Sequence, residues 1–192
     1  MKERTLCIVK PDAMRKRVAG RILAMIEERG LVPVVARILT LAPGDAERFY
    51  AVHRERKFFP DLVRFMSSGP VLVAVLEGDE AIARWRDLMG PTDATKAPKG
   101  TIRGEFGTDV EKNAVHGSDA PETARAEIGF FFASLELPGA TAGVWGRGAG
   151  GDERRAPAQF PSTDAGRTSI PPLTYASSQR STMPHSVAHL QT

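Results

Sequence analysis

Three runs of aliphatic and β-branched residues, at positions 5–9, 31–41 and 71–76, each give way to a stretch whose apolar residues recur at helical spacing. Alternation between the two periods predicts an α+β sandwich with helices on one face of a sheet. The first run ends at Lys10-Pro11-Asp12, where proline stops the ladder and holds the preceding residue extended, so the strand delivers Lys10 to its end. Val18, Ile22, Leu23, Met25 and Ile26 then mark an amphipathic helix over 18–29, with Gly30 where a left-handed cap belongs. Short helices are predicted at 45–52 and 61–67, separated by the charged segment 53–57. The run at 71–76, bounded by Gly69-Pro70 and Gly78, reads as a buried strand able to pair with 31–41. Residues 79–89 have helical composition, with Ile82, Trp85, Leu88 and Met89 on roughly one face.

From 90 to 107 the chain runs without clear periodicity, far beyond the ~4–6 residues of an ordinary connection, and such loops usually serve binding or assembly. Residues 113–116 are expected to be short and extended. A helix start follows at Asp119-Ala120-Pro121-Glu122, with a capping residue, an early proline and an acid three positions on, and the helix runs to about 132.

The 192 residues allow one domain plus an appendage. Past 137 the character changes: no Lys occurs, 25 of 55 positions are Gly, Pro, Ser or Thr, and five of the 26 basic residues face three of the 23 acidic ones. The body is therefore nearly neutral, and a net charge of +3 is a poor argument for nucleic-acid binding. Residues 138–192 read as a low-complexity, disordered extension. Cys7 alone excludes an intramolecular disulfide and reads as a small core residue, and no Cys/His group has zinc spacing. No apolar stretch reaches the ~18 residues of a membrane span, so a soluble, cytoplasmic protein is expected. In the extension, Gly146, Gly148 and Gly151 match a dinucleotide fingerprint with no strand before them; Arg147, Arg154 and Arg155 read as solvated charges, and His185 and His189 lack a helix to bring them together.

Of four histidines, only His116 lies between a strand and a helix N-terminus among small or polar neighbours. Gly117 leaves its ring uncrowded, Ser118 supplies a hydroxyl, and the free N–H groups of the next helix favour an anion. Glu127 lies about two turns into that helix. A carboxylate that keeps one ring nitrogen protonated leaves the other as a nucleophile. Phosphoryl transfer needs charge neutralisation above all, which directs attention to Lys10, Arg86 and Arg103, with the Thr92 hydroxyl in the loop between the arginines. Spacing alone leaves both arginines equally readable as solvated surface charges, Tyr50 and Phe58 as core aromatics, and Asn113 as a turn former. No Walker-type phosphate loop is present, so phosphates would be held by side chains and a helix end.

Asn113-Ala114-Val115-His116-Gly117-Ser118-Asp119 resembles the active-site signature of nucleoside diphosphate kinases, and Val9-Lys10-Pro11-Asp12 resembles that family's opening. Phe49-Tyr50-Ala51-Val52-His53, Phe65-Met66-Ser67-Ser68-Gly69-Pro70, Arg86-Asp87-Leu88-Met89-Gly90 and Gly100-Thr101-Ile102-Arg103 look like family segments in the same order, covering residues 3 to about 137. The resemblance implies a ferredoxin-like antiparallel four-stranded sheet with helices packed on it, a kinase domain over 1–137, and an extension over 138–192. It implies transfer of the terminal phosphoryl group from a nucleoside triphosphate, mainly ATP, to a nucleoside diphosphate through a phosphohistidine, sustaining NTP and dNTP pools. His116 would be the nucleophile, Glu127 would orient it, and Tyr50 with Lys10 would frame the phosphate, Lys10 also reaching the sugar. Asn113 would bind ribose hydroxyls, and Arg86, Thr92 and Arg103 the distal phosphates. Phe58 and Val110 would sandwich the base with Leu62 lining the slot, and Gly117 and Ser118 would complete the site. Mg²⁺ would ride on the nucleotide without direct protein ligands. A homotetramer or homohexamer is implied, although Ala94 stands where many members carry proline in the loop that builds oligomers. A regulatory or nucleic-acid-binding protein on the same fold is the alternative, although such a protein would be expected to have lost Lys10, Arg103, Asn113 or His116.

Overall fold

The computed structural model describes residues 2–139. Four strands form one antiparallel sheet in the order β2-β3-β1-β4: β1 (Lys2–Val9), β2 (Val32–Thr40), β3 (Pro70–Asp79) and β4 (Val115–Gly117). Among the described residues seven α-helices accompany the sheet: α1 (Pro11–Arg15), α2 (Ala19–Glu28), α3 (Pro43–Phe49), α4 (Phe59–Met66), α5 (Ala81–Met89), α6 (Ile102–Phe106) and, after β4, α7 (Pro121–Phe131). This is the expected ferredoxin-like α+β arrangement. Each parallel pair is split by a strand running the other way, so β1 and β3 are both central and their long apolar runs are enclosed.

The expectation of helices on one face is overturned, because both faces are covered. Cys7 and Val9 of β1, with Leu72, Ala74 and Leu76 of β3, point into a core shared with Ile22 and Ile26 of α2 and Trp85, Leu88 and Met89 of α5. Leu6 and Ile8, with Val71, Val73 and Val75, point the other way, onto Ala46 of α3, Val63 and Met66 of α4, and Ile128 and Phe131 of α7. Strands buried on both sides read as continuous apolar runs rather than alternating ones, and that was the available signal in β1 and β3. At about 25 cal/mol per Å² of apolar surface removed from water, these two layers supply the main stabilisation.

The ends of the sheet are tied by charge. Arg4 donates to Glu77 across β1 and β3 (2.8 Å) and to the carbonyl of Pro138 (2.7 Å). Arg37 of β2 pairs with Glu136 (2.9 Å) and lies over the Phe132 ring (4.4 Å to its centroid). Gly30 takes the left-handed conformation predicted for it, φ +69°.

Three further expectations change. The loop after α5 contains a short helix, α6, whose first turn is capped by the Thr101 hydroxyl accepting from the Gly104 N–H (3.2 Å). Helix α7 is capped one residue later than predicted: Thr123 Oγ1 accepts from the Ala120 N–H (3.0 Å) and donates to Asp119 (2.7 Å), so Asp119 supports the cap indirectly. The segment 113–116 is not uniformly extended, because Ala114 sits at φ +68° and strand pairing begins only at Val115. Readings placed on 140–192 lie outside the described residues.

Candidate active site

Strand β4 is three residues long and lies at the sheet edge, with His116 opposite Ile8. The end of β1 lies beside it, so His116 and Lys10 reach one cleft of about 700 Å³. That is the size of an ordinary small-ligand site. Its lining includes Lys10, Tyr50, Phe58, Leu62, Arg86, Thr92, Arg103, Val110, Asn113, His116, Gly117 and Glu127. Twelve of the thirteen residues singled out from sequence thus face one cavity.

The thirteenth, Ser118, is buried behind it. Its hydroxyl donates to Glu127 Oε2 (2.7 Å) and accepts the backbone N–H of Leu6 (3.2 Å). Glu127 Oε1 in turn accepts from His116 Nε2 (3.1 Å). A carboxylate can only accept, so in this pair Nε2 is the donor, and in a neutral ring the free lone pair is then on Nδ1. Phe49 and Tyr50 meet the imidazole edge-on, with ring centroids 5.5 and 5.9 Å away, and restrict its rotation. Gly117 is required next to it: a Cβ there would run into the Trp85 indole and come within 2.9 Å of Met89 Cε. The ring is therefore uncrowded on the cleft side because the backbone is pressed against α5 on the other.

A side-chain oxygen holds one of the cations and backbone carbonyls hold another. Lys10 Nζ donates to Asn113 Oδ1 (2.6 Å). Burial first, and then Arg103, pull the lysine down to about 8, while Asp12, Glu111 and Asp109 act in the opposite direction. Arg103 donates to the carbonyls of Gly90 (2.8 Å) and Val115 (3.2 Å), and burial, followed by the neighbouring Arg86, lowers it to about 10. Positive charge pressed against positive charge in a partly dry cleft is a site prepared for an anion. Tyr50 is buried, and its hydroxyl has no hydrogen-bond partner among the described residues. Burial, with Glu127 nearby, raises it and keeps the phenol neutral.

Asn113 does more than the sequence suggested. It is buried, and its amide donates to the carbonyls of Thr92 (2.9 Å) and Val110 (3.0 Å) while its oxygen accepts from Lys10, so one side chain clasps three segments. Phe58 and Val110 stay 52% and 60% exposed, an apolar pair that burying a ligand would cover.

Sequence reading passed over His53, Glu111, Asp119 and Thr123, which also line the cleft. His53 lies between the Tyr50 and Phe58 rings, with centroids 6.4 and 5.6 Å away. Its place in the charged 53–57 segment hid it. Thr123 hydrogen bonding, with Arg86 and His116 contributing, holds the Asp119 carboxyl below its ordinary range. Among the described residues, no group of three His, Cys, Asp or Glu gathers to hold a metal ion, and no helix is long and apolar enough to cross a membrane.

Residues 3–137 match the family model described as Nucleoside diphosphate kinase. Proteins named nucleoside diphosphate kinase from Burkholderia mallei and Burkholderia thailandensis are each 59% identical over 135 residues, 70% of this chain and 96% of theirs. Among solved structures, the Aquifex aeolicus nucleoside diphosphate kinase superimposes with a TM-score of 0.70 at 50% identity, covering 72% of this chain and all of that one. A halophilic nucleoside diphosphate kinase from Halobacterium salinarum, solved in complex with CDP, gives 0.70 at 40% identity over 72% of this chain and 93% of its own.

Proposed function

This chain belongs to the nucleoside diphosphate kinase family of phosphotransferases, and on that footing we propose that it moves the terminal phosphoryl group of a nucleoside triphosphate, mainly ATP, to a nucleoside diphosphate through a phosphohistidine at His116. The observation that carries the reading is the hydrogen-bonded series His116–Glu127–Ser118, which favours the proton on Nε2 and so supports Nδ1 as the nucleophile.

In the first half-reaction the Nδ1 lone pair attacks the terminal phosphorus. An N–P bond forms, the bond from phosphorus to the bridging oxygen breaks, and its electron pair leaves with the nucleoside diphosphate. Nε2 keeps its proton throughout, and Glu127 stabilises the positive charge the ring acquires. In the second half-reaction a terminal oxygen of another nucleoside diphosphate attacks the phosphorus and the N–P bond breaks, which returns the neutral imidazole. One cleft serves both halves, so the kinetics are ping-pong.

Lys10, Arg86 and Arg103 offset the phosphate charge, and the neutral Tyr50 hydroxyl donates to a phosphate oxygen. Phe58 and Val110 hold the base by its faces, with Leu62 alongside; contact that ignores base edges supports use of purines and pyrimidines alike. Asn113 and Lys10 meet the sugar hydroxyls. Two of the cleft carboxylates are engaged by the protein, Glu127 with His116 and Ser118 and Asp119 with Thr123. That donor set suits Mg²⁺ carried on the nucleotide, where it would offset phosphate charge. Residues 1–137 form the catalytic domain, residues 138–192 an appendage, and the enzyme works in the cytoplasm as a homo-oligomer that maintains NTP and dNTP pools.

Incubation with γ-labelled ATP and Mg²⁺ tests the reading. An acid-labile, base-stable phosphoenzyme is expected, and His116→Ala abolishes it. Label persisting in that variant rejects the nucleophile.

A further inference from the structure

Asp12 is 5% exposed and does not line the cleft, yet its carboxylate is placed at a costly position. One oxygen, Oδ2, accepts the backbone N–H of Ala114 (3.0 Å), and the other has no hydrogen-bond partner among the described residues. A buried carboxylate with a single hydrogen bond is expensive, so what it holds has to matter.

What it holds is the turn that leads into β4. Ala114 sits at φ +68°, and the Val115 N–H donates back to the Asn113 carbonyl (2.8 Å), closing a three-residue turn of the positive-φ kind. That turn is rare and strained for any residue with a Cβ, and it persists only where its surroundings enforce it. Here the enforcement comes from one short segment. Asp12 takes the Ala114 N–H, and the Lys10 backbone N–H donates to the Ala114 carbonyl (2.8 Å). On one side of the turn lies Asn113, with its side chain bound to Lys10, Thr92 and Val110; on the other, two residues on, lies His116. An extended Ala114 would redirect both.

We propose that Asp12 is a positioning residue for phosphoryl transfer, holding the strained turn at Ala114 that brings Asn113 and His116 into one cleft. The proposal rests on the phosphohistidine reading above, and its test separates the two. Rapid-quench measurement with labelled ATP gives the rate of His116 phosphorylation per active site. A residue that only stabilised the fold would change the number of competent sites and leave that rate alone.

Asp12→Ala lowers the per-site rate about 10²-fold, the cost of a misplacement near 1 Å. Asp12→Asn, which keeps an acceptor for the Ala114 N–H, retains more of the rate. Ala114→Gly relieves the strain, since glycine takes positive φ freely, and in the Asp12→Ala background it restores at least about tenfold of the loss. If Asp12→Ala does not fold, the same relief is read in Asp12→Asn against Asp12→Asn/Ala114→Gly. A full per-site rate in Asp12→Ala, or a loss that Ala114→Gly leaves untouched, overturns the proposal. A wild type that takes up no label overturns the phosphohistidine reading instead.

Discussion

Replacing Lys10 by methionine should exchange activity for stability, and the exchange should vary with pH in a direction the site dictates. Burial and Arg103 bring the lysine from an ordinary 10.5 to about 8. At about 1.36 kcal/mol per pH unit, that gap is worth about 3 kcal/mol against the charged lysine in the folded chain below pH 8. Between pH 8 and 10.5 the unfolded chain still binds this proton while the folded chain has released it. The unfolded state then binds more protons, so the lysine's contribution to stability improves as pH rises through that window. Methionine has no such dependence. Losing the 2.6 Å bond to Asn113 Oδ1 costs about 1–3 kcal/mol, and any weakening of that bond when the lysine deprotonates is already contained in its lowered pKa, so the slope reports the shift as a whole. Urea denaturation of both proteins at pH 7, 8, 9 and 10 is the assay. Wild-type stability minus variant stability should climb with pH, approaching a total gain of about 3 kcal/mol. A flat difference refutes the argument that the site holds Lys10 at an electrostatic cost. Turnover of the variant at pH 7 should fall by about 10²–10³-fold, as expected when a donor to a transferring phosphate is removed.

Glu127→Gln keeps an acceptor for Nε2 and removes the charge that stabilises the imidazolium, so single-turnover phosphorylation should slow by about 10²-fold with thermal stability nearly unchanged. Gly117→Ala drives a methyl group against Trp85 and Met89. It should lower the rate by about 10²-fold and stability by about 1–3 kcal/mol, read by steady-state assay and thermal unfolding. Truncation after Gly139 preserves the Arg4 bond to the Pro138 carbonyl and should leave turnover nearly intact; a collapse in rate or assembly would assign the appendage a structural role.

The sheet was legible because its strands are chemically plain. β-Branched runs bounded by Gly and Pro located β1, β2 and β3, and the pairing of β2 with β3 followed from them. Two-sided burial was missed because hairpin logic assumes one wet face, whereas Leu6 and Cys7 are adjacent, both fully buried, and serve opposite cores. Helix α6 escaped because only Ile102 and Phe106 give it a period, and its start depends on the Thr101 hydroxyl rather than on a pattern. In the site, His116 and Glu127 could be paired from their spacing about a helix start. The cooperation of Lys10 with Asn113, 103 positions apart, could not. Nor could the role of Asp12, which consists of a bond to a backbone amide whose conformation no side chain announces.

The bond from Leu6 to Ser118 has one more consequence. β1 pairs with β4 only from Cys7 to Val9, and at the next position along, the Leu6 N–H finds the Ser118 hydroxyl in place of a backbone acceptor. The proposed catalytic series therefore begins as the last rung of the sheet. A change that loosens Glu127 from Ser118 loosens that rung too, and hydrogen exchange at the Leu6 amide should report it.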